Sequence, residues 1–196
     1  MPGIISLKPT LNGWRLATKL VVRFASRDDG ATAVDFALVA APFLALLFAI
    51  METSLIFFAG QTLETATADT SRLVMTGQAQ SQNYSMTEFK TALCSRIYRM
   101  FDCANKIKID VRTIGTSGFS STNTSKPIVN GQVDSSNFDF KPGGPGCIVI
   151  AKVMYEWPVY VSLLGLNLSD LSSGKRLLMA TAAFRNEPYG PVTSCS

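Results

Sequence analysis

The sequence contains no histidine among its 196 residues. That absence excludes Ser-His-Asp and Cys-His nucleophile pairs, H-E-x-x-H metal sites and histidine general bases. Cysteine is scarce, with four residues in all and no CxxC pair. Zinc would therefore need four scattered thiolates, and no metal site is expected. Asp102, Asp110, Asp134, Asp139, Glu156, Asp170 and Glu187 are spread along the chain, with no spacing that sets two across a cleft. They read as solvated surface acids. Gly143-Gly144-Pro145-Gly146 precedes a strand and lacks the helix and lysine that a phosphate loop requires, so it reads as a turn. No internal repeat is present. These exclusions leave no cofactor and no catalytic residue to nominate, and the chain is expected not to be an enzyme.

Charge is low and unevenly placed. Lys8, Arg15, Lys19, Arg23 and Arg27 against Asp28 and Asp29 put +3 of the net +4 before Gly30. The rest of the chain is nearly neutral, so the basic excess is a topology signal and gives no reason to expect nucleic acid as a partner. The positive-inside rule predicts residues 1–30 as a basic cytoplasmic leader and residues 59–196 as an extracytoplasmic domain. Within the leader, Leu11 to Val22 is spaced for a short amphipathic helix on the inner membrane surface, with disorder as the other reading.

The dominant feature present is an apolar run from Ala31 to Met51, twenty-one residues in which Asp35 is the only charge. At about 1.5 Å rise per residue, that length matches the roughly 30 Å hydrocarbon core of a bilayer. A signal-peptide core is shorter, about 7–15 residues, and ends at a small-x-small site. Here apolar character continues past Glu52 through Leu55–Ala59 with no clean A-x-A. A retained transmembrane helix over 31–58 is predicted, in contact with membrane lipid. Pro42 sits in its middle and predicts a kink, which a membrane tolerates when neighbouring helices satisfy the freed carbonyl.

An ionised Asp near a helix centre costs roughly 2.5–3.5 kcal/mol on insertion scales, and such acids usually face protein and pair. Asp35 lies near the start of the run, where water is close. It is either an interfacial carboxylate without a partner or one neutralised by a cation at the same depth. If the chain is cut between Gly30 and Ala31, the new amino terminus of a neighbouring copy or related subunit supplies that cation. Glu52, at the far edge of the run, is expected to snorkel to water.

Phe57 to Gln80 contains no proline, and Leu63, Ala66, Thr70, Leu73 or Val74 and Gly77 recur near helical spacing. The membrane helix is therefore predicted to run on unbroken to about residue 78. A second helix is predicted over roughly 86–101 with Thr87 as its cap, without a capping-box acid. Ile107, Ile109 and Val111 alternate with Lys108, Asp110 and Arg112, a half-buried strand within 106–114. Gly115 to Gly146 reads as a long surface loop. Cys147 to Tyr160 gives the strongest strand signal, and Pro158 ends it or confines it to an edge. Ser162–Gly174 is a second loop whose leucines suggest contact with a membrane or a partner, and Lys175 to Arg185 is the last strand. Arg185-Asn186-Glu187-Pro188 suggests a structural salt bridge and a chain reversal. The fold class is thus α+β: one N-terminal transmembrane helix continuing into a long external helix, packed on a small antiparallel sheet.

All four cysteines lie beyond the apolar run, and an even number on the non-cytoplasmic side reads as two disulfides. Three connectivities are possible. Local spacing favours Cys94 with Cys103, which leaves Cys147 with Cys195.

The order Gly30, Val34-Asp35-Phe36-Ala37-Leu38, Pro42, a Leu/Phe-rich run to Glu52, then Gln61, Leu63, Ala66, Arg72 and Gly77 resembles the TadE/TadG family. The near-terminal Phe184-Arg185-Asn186-Glu187-Pro188-Tyr189 is similar to that family's closing segment. The likeness is dense over about 30–77, thin through the middle, and resumes near 177–190. It implies a pilin-like minor component of the bacterial tight-adherence (Flp, type IVc) pilus machinery. It also implies a prepilin-peptidase site, with Gly30 the last leader residue, Ala31 the mature terminus, and Asp35 and Phe36 at the acid and aromatic positions. This chain has Asp where the family usually has Glu, a similar acid with a shorter reach. The implied partners are other pilin-like subunits, the major Flp pilin, prepilin peptidase and the inner-membrane platform of the Tad system. The implied location is the bacterial inner membrane, N-terminus cytoplasmic and C-terminal domain periplasmic, with incorporation into a pilus.

Two functional readings follow. In the first, a minor pilin-like (pseudopilin) subunit joins similar helices through Phe36, Leu38, Phe43, Leu46, Leu47 and Ile50, with Asp35 setting axial register. In the second, an uncleaved bitopic scaffold of the same secretion machinery binds through its external domain. A membrane-anchored extracytoplasmic enzyme is a distant third.

Overall fold

The apolar run folds as a single helix, α1 (Asp29–Met75), in the computed structural model, which describes residues 29–97, 101–114, 127–160, 167–191 and 195. The leader expectations for residues 1–28 lie outside the described residues. The helical assignment passes through Pro42 without a break. Proline has no N–H to donate, so the carbonyl one turn back, that of Leu38, loses its partner within the helix. The helix stops where Gly77 adopts φ +78°, the left-handed conformation that closes helices at low steric cost. Thr76 N–H still reaches the Arg72 carbonyl, and Gly77 N–H the Val74 carbonyl.

The chain divides into two units, Met1–Leu47 and Phe48–Ser196. The described part of the first is a stretch of helix with no core of its own. The second is α+β. Beyond α1 it contains α2 (Gln78–Ser81), α3 (Met86–Cys94), α4 (Cys103–Lys106), β1 (Ile107–Ile114), β2 (Ile128–Val129), β3 (Gln132–Val133), β4 (Ile148–Pro158) and β5 (Lys175–Arg185). The main sheet is antiparallel in the order β1-β4-β5, and β2 and β3 form a separate two-stranded ribbon.

Alternation in the strands sets one face of the sheet against α1. Ile109 lies opposite Val153, Val111 opposite Ala151, Val153 opposite Ala180, and Tyr155 opposite Leu178. All seven are buried, in one core with Ile56, Ala59, Leu63, Ala66 and Val74 of the helix. Those helical positions recur every three or four residues, so they form one stripe. The polar members of that stripe, Thr67 and Thr70, donate their hydroxyls to carbonyls four residues back, at 2.7 Å each. That satisfies groups which would otherwise be buried unpaired.

Differences from the sequence reading concern the external elements. The cap of α3 is Ser85 and not Thr87: Thr87 N–H donates to Ser85 Oγ at 3.1 Å, and Glu88 accepts from Ser85 N–H at 2.9 Å. A full capping box is therefore present, shifted from the expected position. The helix ends at Cys94, where Cys94 bonds to Cys103 across a turn. β4 is the central strand, and Pro158 is its last residue, which is how a residue without an N–H is accommodated there. Part of the stretch expected as one long loop is ordered: Val111 N–H bonds the Asp139 carbonyl at 2.8 Å, and Lys141 N–H bonds the Val111 carbonyl at 2.7 Å. Residues 115–126 of it lie outside the described residues. Asp110, read as solvated, is only 4% exposed, because this segment covers the outer face of β1. Its Oδ1 accepts from Arg112 Nε at 2.7 Å and from Asp139 N–H at 3.0 Å.

The capping box makes a pH prediction. The Ser85 hydroxyl, and then the Ser85 N–H, hold the Glu88 carboxyl below its usual range. A depressed folded value means a contribution present above the unfolded value and lost as pH falls through the folded one. Ser85→Ala is expected to lower stability by about 0.5–2 kcal/mol. The gap between thermal melts of the two proteins should narrow as the pH is lowered through the carboxylate range, leaving the part that Ser85 Oγ holds through the Thr87 N–H.

Candidate functional site

The exposed part of α1 presents apolar side chains all round. Phe36 is 74% exposed, Leu38 69%, Phe43 61% and Ile50 58%. Leaving such a side chain in water forfeits about 1.5–3 kcal/mol relative to burial. A helix apolar on every side is covered by protein or by lipid. Asp35 lies in this stretch, is itself exposed, and has no hydrogen-bond or ion-pair partner among the described residues. Gly30 and Ala31 occupy the first turn, exposed, with open space where a Gly30 side chain would point. Gly30, Ala31, Asp35, Phe36 and Pro42 are thus carried on one helix, gathered by sequence proximity alone.

Within the unit Phe48–Ser196, Glu52 departs from expectation. It does not snorkel to water. It is 4% exposed, and Oε1 accepts the Tyr160 N–H at 3.2 Å. The chain leaving β4 after Pro158 returns to the helix there. Of the leucines in the following loop, Leu168 packs against the core, whereas Leu163, Leu164 and Leu166 lie outside the described residues.

At the other end of the helix lies a clasp that the sequence did not disclose. Glu187 N–H donates to the Met75 carbonyl at 2.8 Å, filling an acceptor left open by the end of α1. Asn186 is 2% exposed, and its side-chain Nδ2 donates to the carbonyls of Pro142 at 2.9 Å and Gly144 at 3.0 Å. Gln80 Nε2 reaches the same segment, at Pro142 and Gly143. The Tyr189 ring lies against Gly77 so closely that a Cβ there would be 2.6 Å from it. Tyr189 is still 40% exposed, and partial desolvation raises its phenol above the ordinary value. Cys147 is bonded to Cys195, the pairing left by the local spacing of the other two cysteines. The salt bridge expected within Arg185–Pro188 is replaced by backbone contacts, Arg185 Nε donating to the Gly146 carbonyl at 2.9 Å. The end of α1 and the segment after β5, far apart in sequence, therefore meet at Met75–Gly77 and Asn186–Tyr189.

Among the described residues one helix is long and apolar enough to cross a membrane, and it leads into a small disulfide-bonded α+β unit, an arrangement consistent with a bitopic membrane protein. Residues 30–72 match the family model described as TadE-like protein, and over this segment the chain is similar to that family. No curated protein and no solved structure matches the chain. The TadE-like match implies involvement in assembly of the tight-adherence pilus.

Proposed function

We propose that the chain is a minor pilin-like subunit of the tight-adherence pilus, inserted in the inner membrane with its N-terminus cytoplasmic and its α+β domain periplasmic. The observation that carries this reading is the exposed Asp35, without a partner among the described residues, in the apolar run 31–51. A carboxylate at that depth gains most from a cation supplied by another chain, and the terminal amine created by cleavage after Gly30 is such a cation. Phe36, Leu38, Phe43, Leu46, Leu47 and Ile50 supply lateral contacts to other pilin-like subunits and the major Flp pilin. Prepilin peptidase and the inner-membrane platform are the remaining partners.

The function is assembly without catalysis. The chain lacks histidine, and several of its external acids are engaged structurally: Asp110 with Arg112, Asp139 with Lys141, Glu156 with Lys175. Intact mass of the chain recovered from membranes with active peptidase tests the reading. Loss of residues 1–30 is the expected result. Recovery of the full-length chain would instead favour an uncleaved bitopic scaffold of the same machinery, a role suggested by Asp standing at position 35 where the family usually has Glu.

A further inference from the structure

A groove of about 420 Å³ runs between α1 and the start of β5, wholly within the unit Phe48–Ser196. Ile56, Phe57, Leu168 and Leu178 give it apolar walls. Gly60 leaves one side open, since a Cβ there would meet nothing within 4 Å. Arg176 also lines it, donates to the Leu168 carbonyl at 3.1 Å, and makes no ion pair among the described residues. The neighbouring cation, Lys175, is already paired with Glu156 at 2.9 Å.

The position of the groove along the helix identifies its occupant. On the uncovered side of α1, Leu55, Phe57 and Phe58 are exposed, with Phe57 75% exposed. One turn further on, the exposed residues are Gln61, Glu64 and Thr65. The groove spans this change from apolar to polar surface, where a membrane helix passes from acyl chains to headgroups. A guanidinium over an apolar floor at that depth matches a phosphate joined to acyl chains, bidentate recognition of phosphate being an arginine property. A neighbouring apolar helix in the same place would leave Arg176 covered and unpaired. Glu64 lines the water end of the groove, one turn beyond Gly60, which leaves the Arg176 side for the anion.

We propose that this groove binds an anionic glycerophospholipid from the leaflet that faces the α+β domain, phosphate on Arg176 and upper acyl chains against Ile56 and Leu168. The proposal rests on the helix spanning a membrane and is independent of pilus-subunit status.

The test uses the full chain in detergent, offered equal amounts of phosphatidylglycerol and phosphatidylcholine, with retained lipid measured by native mass spectrometry. Wild type is expected to retain phosphatidylglycerol over phosphatidylcholine by about tenfold, because the choline ammonium offsets the phosphate charge that Arg176 would pair with. Arg176→Gln should retain the two equally. Gly60→Leu, which fills the groove while replacing a poor helix former by a good one, should retain neither. Equal retention by wild type, or undiminished phosphatidylglycerol on Gly60→Leu, overturns the proposal. A photo-crosslinking side chain at Gln61 separates occupants: in membranes an adduct with the mass of a phospholipid supports it, and an adduct with a protein chain overturns it.

Discussion

Asp35→Ala is expected to insert in the membrane as well as wild type and to lose its co-purifying pilin-like subunits. Insertion should survive because alanine removes a group that opposes transfer into lipid, and because Asp35 sits at the start of the apolar run where that opposition is smallest. Association should fall because the variant leaves a neighbour's terminal amine at the same depth without its counter-charge. A charge-assisted pair contributes about 1.5–3 kcal/mol, about 10- to 150-fold in an association constant. Asp35→Glu keeps the charge and should retain most of the partners, while Asp35→Asn should behave like alanine. Recovery of partners from membranes, scored beside alkaline extraction as a measure of insertion, checks all three. Undiminished recovery with Asp35→Ala would remove the register role and leave the helix as an anchor only.

Gly77→Ala is expected to loosen the clasp at the end of α1. Two independent costs meet at this position. The backbone has φ +78°, where a side chain is strained by about 1–2 kcal/mol. The added methyl would also fall 2.6 Å from the Tyr189 ring, and overpacking of this kind costs typically about 1–3 kcal/mol. Together they predict a loss of about 2–5 kcal/mol, a large part of the roughly 5–15 kcal/mol available to a domain. Thermal unfolding of the full chain in detergent measures it. Adding Tyr189→Ala should relieve the steric part and leave the backbone part. A melting curve that Gly77→Ala does not move would contradict both the left-handed backbone and the ring contact, and the clasp would have to be redrawn.

The helix and the strands were readable because their signals are local. Twenty-one residues with one charge, and apolar positions every three or four residues beyond them, dictate α1 without reference to anything else in the chain. Period-two alternation likewise marked β1, and the runs Cys147 to Tyr160 and Lys175 to Arg185 marked β4 and β5 nearly to their ends. The expected helix over 86–101 was too long because apolar spacing continues through Ile97, and the spacing does not reveal that the chain turns after Cys94 to meet Cys103.

The individual polar groups were read less well. Glu52 and Asp110 look like solvated acids in the sequence, yet both are buried by chain 108 and 29 positions away. Asn186 carries no periodic signal at all, and its role exists only because Pro142 and Gly144 present carbonyls to it.

By itself, the sequence determined that this protein has one membrane-length helix bearing a lone acid, an α+β part, and four cysteines outside the apolar run. Hydropathy, period and spacing are properties of the chain in any conformation. The tertiary structure decided which strand is central, which acids are hidden, how the helix is closed at Met75, and that an apolar groove holds Arg176. Each of those depends on what a distant segment places next to a residue, and a linear pattern does not encode that neighbour.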